Sequence, residues 1–220
     1  MMIQAINVCK SFAIGSQKLQ ALADVSLTVE EGEFVSLMGP SGSGKSTLLY
    51  ILGGLDKADS GSVLIDGKAI GKLDDAAESA MRRDDIGFVF QAYNLIDNLT
   101  LEENVLIPAM LSGKKRKETD AGDLLRAVGL YEHRKHRPME LSGGQQQRTA
   151  IARALINRPK VIFADEPIGN LDSQNGKEVL ELLSKLNKQY GITILMVTHS
   201  EDSTRYGSRV IRLKDGRLSD

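Results

Sequence analysis

The chain has 220 residues, 41% of them hydrophobic and 26% charged, which excludes wholesale disorder and is long enough for one large domain or one domain with an inserted lobe. Lys and Arg (28) nearly balance Asp and Glu (29), a net charge of −1, so a protein that holds nucleic acid by its overall field is disfavoured. A single cysteine, Cys9, excludes an internal disulfide framework and fits a reducing compartment.

In chain order, residues 2–9 and 20–29 mix alternation with β-branched side chains, the pattern of half-buried strands. Residues 33–38 (EFVSLM), 86–90 (IGFVF), 160–164 (KVIFA) and 192–197 (ITILMV) are apolar at almost every position. Such runs suit strands covered on both faces, hence a parallel sheet flanked by helices. None approaches the ~18 apolar residues a membrane-spanning helix needs. The first ten residues lack the apolar core and cleavage site of a secretory signal, so a cytoplasmic location is expected. Asp66-Gly67 and Asp215-Gly216 each sit between short apolar runs and predict tight hairpins, so the front portion and the extreme end read as antiparallel.

The stretch 92–140 is polar and helical, with Thr100 placed to cap LEENVLIPAM and a charge-rich segment at 114–120. We read it as part of a helical subdomain inserted between two core strands. Residues 173–190 then form a helix with Val179, Leu182, Leu183, Leu186 and Tyr190 on one face, Ser173 as its cap and Gly191 as its stop. The alternation of strands and helices argues an α/β core. The expected division of the single domain is 1–91 and 157–220 as core with β lobe, and 92–156 as helical subdomain.

Gly39-Pro40-Ser41-Gly42-Ser43-Gly44-Lys45-Ser46-Thr47 follows the strand EFVSLM directly and opens a helix, matching G-x-x-x-x-G-K-[ST] in the context that pattern requires. The glycines let successive backbone N–H groups turn inward toward phosphate oxygens, and the helix adds its positive end. Lys45 supplies a point charge to the β- and γ-phosphates, and the Ser46 hydroxyl can ligate Mg²⁺. Downstream, the apolar strand Val161–Ala164 ends in Asp165, which can hold the magnesium shell, and Glu166, which can polarise a water for attack on the γ-phosphate.

A third element is Leu141-Ser142-Gly143-Gly144-Gln145, where Ser142 caps a helix with Ala150, Ile151, Ala154 and Leu155 inward and the two glycines permit close approach to an anion. Together, the three motifs resemble the signature of ATP-binding cassette (ABC) ATPases, and the resemblance covers essentially the whole chain. It implies a P-loop cassette with a mixed core sheet, an antiparallel β lobe and an inserted helical subdomain. It also implies an ATPase using ATP and Mg²⁺, and a sandwich dimer in which Ser142, Gly143 and Gly144 of one copy meet the nucleotide held by the other. Gln91 falls where the family has its Q-loop, with a role in catalysis and the magnesium shell. Asn170-Leu171-Asp172 matches the D-loop, His199 the switch histidine, and Phe12 the aromatic that stacks on adenine.

GGLDKADSG, FVFQAYNLIDNLTLEENV and ADEPIGNLDS are similar to the subgroup serving macrolide export, lipoprotein release, antimicrobial-peptide resistance and cell division. The resemblance implies an integral membrane permease partner that supplies the pore and recognises the cargo. With one cassette filling the chain, no fused membrane domain is expected. Ile168 departs from the family's usual Thr.

Two rival readings are weaker on their residues. A GTPase needs Asn-Lys-x-Asp, and Asn187-Lys188-Gln189-Tyr190 lacks the Asp; a nucleotide kinase has no use for LSGGQ. The run Lys114-Lys115-Arg116-Lys117 could touch nucleic acid or anionic lipid, but it fits a solvated turn between helices, and no nucleic-acid partner is expected.

Overall fold

The computed structural model describes residues 1–15, 17–113 and 118–219. Among the described residues, ten strands form two sheets. The first is antiparallel, in the order β2 (Gln17–Val29), β1 (Ile3–Ile14), β4 (Ser60–Ile65), β5 (Lys68–Ile70). The second runs β10 (Arg217–Ser219), β9 (Arg209–Lys214), β3 (Phe34–Met38), β8 (Thr193–Thr198), β7 (Val161–Asp165), β6 (Ile86–Phe90) and is parallel except for its last hairpin. All residues of β3, β7 and β8 are buried, as continuous apolar runs require of strands covered on both faces. Both predicted hairpins form, with Asp66 (φ 47°), Gly67 (φ 73°), Asp215 (φ 49°) and Gly216 (φ 73°) all left-handed, as a two-residue turn matching strand twist demands.

The parallel registers fix the architecture of one edge. Met38 pairs with Thr198, Val197 with Asp165, and Asp165 with Phe90, so β3, β8, β7 and β6 all end at the same level. On one face α1 (Lys45–Leu52) packs into a core shared with the antiparallel sheet, through Leu48, Leu49, Ile51 and Leu52. On the other face α5 (Gly143–Leu155) and α6 (Ser173–Tyr190) cover Phe34, Ile162, Ala164, Ile194 and Met196. A third cluster joins α3 (Leu101–Leu111), α4 (Glu118–Ala127) and the far side of α5 through Leu101, Val105, Leu125, Ala152 and Ile156. These helices and two short 3-10 turns, Tyr131–His133 and Pro138–Glu140, lie in sequence between β6 and β7. A polar helix that hydrophobic periodicity did not reveal, α2 (Asp75–Asp84), precedes β6, and a single turn, α7 (Glu201–Thr204), follows β8.

Several expectations shift. Strands β1 and β2 extend beyond 2–9 and 20–29 into one long hairpin. The cap of α6 is Asp172, whose carboxylate accepts from Asn175 N; Ser173 is already helical. Gly191 stops that helix as expected, in the left-handed conformation at φ 65°. Tyr190 is not part of the buried face, being 54% exposed, whereas Leu180 is buried. The basic run 114–117 lies outside the described residues. Among those described, no helix is long and apolar enough to cross a membrane.

Leu183 is fully buried between α6 and the sheet, while Tyr190, seven residues on, is largely exposed. Leu183→Ala should therefore lower unfolding free energy by about 2–5 kcal/mol, whereas Tyr190→Ala should cost less than about 1 kcal/mol, both read from denaturant midpoints.

Candidate active site

The edge where the four parallel strands end carries the candidate site, as open α/β sheets dictate. The loop after β3 wraps into α1, whose N-cap is Gly44 at φ 98° with no side-chain cap. By contrast α2, α3, α5 and α6 are capped by Asp74, Thr100, Ser142 and Asp172. The first turn of α1 also lacks an acidic residue, so its N–H groups and positive dipole end are uncompensated. Gly44 tolerates no side chain: a Cβ would lie 2.4 Å from the Ala21 carbonyl oxygen. Gly39 is tighter still, at 2.0 Å from the Leu213 carbonyl oxygen. The terminal hairpin thus braces the loop from behind, and Gly216 N donates to Ser43 O across 3.1 Å.

Lys45 is 7% exposed and folds back over the loop, its Nζ donating to the carbonyls of Gly39 (2.9 Å) and Pro40 (2.7 Å). Asp165 closes β7, 8% exposed. Its Oδ1 accepts from Ser46 Oγ at 2.9 Å and its Oδ2 from Tyr50 Oη at 2.7 Å. Burial, then the bond to Asp165, pushes the Tyr50 phenol up to about 12, so at neutral pH it is a donor. Among the described residues Asp165 forms no ion pair, and its two carboxylate oxygens are bonded by the hydroxyls of Ser46 and Tyr50. The donor set of a carboxylate, a serine hydroxyl and the nearby Gln91 amide is all hard oxygen, which fits Mg²⁺.

The next residue, Glu166, is left-handed at φ 46°, a conformation costly for a non-glycine residue. It turns the chain at the strand end, with Glu166 N donating to Val197 O. Its Oε2 lies 3.0 Å from Nδ1 of His199, the first residue after β8. Gln91, the first residue after β6, is held by reciprocal bonds: Nε2 donates to Asn170 Oδ1 (3.1 Å) and Asn170 Nδ2 donates to Gln91 O (3.0 Å).

One cavity of about 470 Å³ joins these parts, lined by Ser41, Gly42, Gly44, Lys45, Ser46, Thr47, Gln91, Glu166 and His199. Phe12, 40% exposed, forms its outer wall with Leu19, Gln20 and Ala21, and the Lys10 ammonium sits 5.2 Å from the Phe12 ring centroid. Gly39, Ser43 and Asp165 shape the loop and floor behind that lining.

Ser142, Gly143 and Gly144 contribute nothing to this cavity's walls. Ser142 caps α5 in a reciprocal capping box with Gln145. Within the chain the two glycines sit where a side chain would press on neighbouring side chains. A Cβ on Gly143 would lie 2.7 Å from the Tyr93 hydroxyl, and one on Gly144 2.3 Å from Asn175 Oδ1. Ile168 spends its extra apolar surface on the α6 core, against Gly176. His133 and His136 lie far along the chain's helical segment, their Nδ1 atoms 3.3 Å apart. Sequence reasoning passed over Tyr50; its position four residues after Ser46, on the same helix face, was the available signal.

Residues 22–169 match the family described as ABC transporter. The chain is 49% identical to an uncharacterized ABC transporter ATP-binding protein, MJ0796, of Methanocaldococcus jannaschii, covering 99% of this chain and 95% of that one. It is 48% identical to an uncharacterized ABC transporter ATP-binding protein of Thermotoga maritima, covering 98% and 93%. Among solved structures it resembles the dimeric post-hydrolysis state of the ATP-binding cassette MJ0796 bound to ADP and Pi, with a TM-score of 0.92 at 46% identity over 100% of this chain and 97% of that one. It also resembles cbiO1 of Clostridium perfringens, part of the ABC transporter complex cbiONQ, with a TM-score of 0.86 at 29% identity over 100% and 87%. The chain belongs to the ABC transporter family, as an ATP-binding cassette.

Proposed function

We propose that this cassette ATPase works as two copies facing head to tail, closing on ATP and opening after hydrolysis, and that the motion drives a separate integral membrane permease. The observation that carries the reading is the cavity that joins a bare helix N-terminus and Lys45 to the Glu166–His199 pair. One end receives phosphate, and the other handles the water that attacks it.

In this reading Ser41, Gly42, Ser43, Gly44 and Thr47 turn backbone or hydroxyl donors to the phosphates, and Lys45 exchanges its carbonyl partners for β- and γ-phosphate oxygens. Ser46, Asp165 and Gln91 hold Mg²⁺, which when bound neutralises charge between the phosphates. Glu166 accepts the proton of the attacking water. His199 orients that carboxylate and contacts the γ-phosphate, and Phe12 stacks on the adenine.

Ser142, Gly143 and Gly144 serve the partner's nucleotide, consistent with their not lining this chain's own cavity; the dimeric MJ0796 structure supports that arrangement. Charge-assisted bonds of ~1.5–3 kcal/mol each then favour closure while the γ-phosphate is present and are lost when it leaves. Residues 92–156 form the helical subdomain that, with Gln91, faces the permease. cbiO1, part of a transporter complex, supports a membrane partner. The motif text favours a permease for macrolide or peptide export, lipoprotein release or mechanical signalling, with the cassette on the cytoplasmic face.

Three substitutions test the assignment. Lys45→Ala should lower ATP turnover by about 10²–10³-fold, measured by phosphate release; near-normal turnover contradicts the phosphate site. Glu166→Gln should bind ATP and accumulate as a dimer on gel filtration, and a monomer at saturating ATP removes Glu166 from its role. His199→Ala should retain nucleotide affinity and lose most turnover, and unchanged phosphate release excludes it.

A further inference from the structure

Tyr50 bonds Asp165 in the floor of the site and has no part in the phosphate or water chemistry proposed for it. It lies on α1 one turn beyond Ser46, and Ser46 and Tyr50 divide the Asp165 carboxylate between them: Oδ1 receives Ser46 Oγ at 2.9 Å, Oδ2 receives Tyr50 Oη at 2.7 Å. Asp165 lies behind the cavity lining, with Oδ1 bonded to Ser46, which lines the cavity, and Oδ2 to Tyr50, which does not. The ring of Tyr50 lies tilted 6.4 Å from Phe90, the last residue before Gln91. A phenylalanine would keep that ring contact; what it would remove is the donor to Asp165.

We infer that Tyr50 is a positioning residue that fixes which oxygen of Asp165 faces the divalent cation, and thereby favours Mg²⁺ over the larger Ca²⁺. The inference rests on the assignment of Ser46 and Asp165 to the magnesium shell. The bond at Oδ2 restrains rotation of the carboxylate and so keeps Oδ1, the oxygen shared with Ser46, as the one presented beside the Ser46 hydroxyl. Mg²⁺ demands near-octahedral geometry at short distances and is served by single oxygens. Ca²⁺ tolerates longer distances and accepts both oxygens of one carboxylate. Releasing Oδ2 lets the carboxylate rotate, which loosens the fit for the small ion and opens a bidentate mode for the large one. Partners that orient a metal's ligand are commonly worth 10–100-fold in metal affinity.

The test is divalent-dependent binding of a fluorescent ATP analogue to the full chain, titrated separately with Mg²⁺ and Ca²⁺. In Tyr50→Phe the Mg²⁺ midpoint should rise about 10-fold or more while the Ca²⁺ midpoint moves less, narrowing the preference for Mg²⁺. Binding in EDTA and the melting temperature should change little. Unchanged midpoints, or equal shifts for both ions, overturn the inference. Failure of the underlying site assignment looks different: the unsubstituted chain itself would show no divalent dependence. A measurement without substitution guards against a variant that folds poorly. In protein carrying ¹³C-labelled tyrosine, the Tyr50 ring carbon bearing the hydroxyl should shift during the Mg²⁺ titration in step with nucleotide binding. A resonance that does not move overturns the inference as well.

Discussion

Four parallel strands that stop at one level are the constraint on which the site depends. The register that pairs Met38 with Thr198, Val197 with Asp165 and Asp165 with Phe90 brings four chain segments to a common edge. The glycine-rich loop, the pair Asp165–Glu166, His199 and Gln91 all lie at or just beyond those strand ends. They come from positions as distant as Ser46 and Asp165, 119 residues apart, and no local interaction would assemble them. Because β3, β7 and β8 are buried throughout, a one-residue slip would exchange the side chains facing the two helical layers, so the core itself holds the register.

The site assembled there places two kinds of group side by side. At its centre are a helix start with no side-chain cap and the Lys45 ammonium, bonded to two carbonyls. Beside them the Asp165 carboxylate is bonded by two hydroxyls. In the proposed function a nucleoside triphosphate meets the donors and Mg²⁺ the carboxylate, so one ligand pair accounts for both. The backbone strain of Glu166 belongs to the same design, since a left-handed residue at the strand end sets its carboxylate against His199. Tyr50 and Asn170 add a second layer that holds Asp165 and Gln91 in place.

Much of this was legible because it was written in local patterns. Apolar runs named the parallel strands, Asp-Gly pairs named the hairpins, and the glycine and lysine spacing named the turn from β3 into α1. The misreadings have equally specific causes. Asp172 and Ser173 are adjacent and both competent caps, so sequence alone could not choose between them. Tyr190 keeps the helical period of Val179 and Leu183, but periodicity gives a side of the helix and not where its neighbour ends. Helix α2 buries only Glu78 and Met81 and so has no apolar stripe. It was readable only from its Asp74 cap, acidic first turn and Arg82–Arg83 at its end. The packing demand behind Gly143 and Gly144, made by Tyr93 and Asn175, depends on tertiary contacts that no local pattern encodes.

The central claim is that a nucleotide seats its phosphates on the bare start of α1 and that closure then recruits the start of α5 from a second copy. Amide hydrogen exchange in a Glu166→Gln chain, with and without ATP and Mg²⁺, reads both ends at once. Slowed exchange at residues 41–47 should follow nucleotide occupancy at every protein concentration, while slowed exchange at 142–146 should appear only as protein concentration permits pairing. Exchange at 41–47 that is indifferent to ATP would contradict the account.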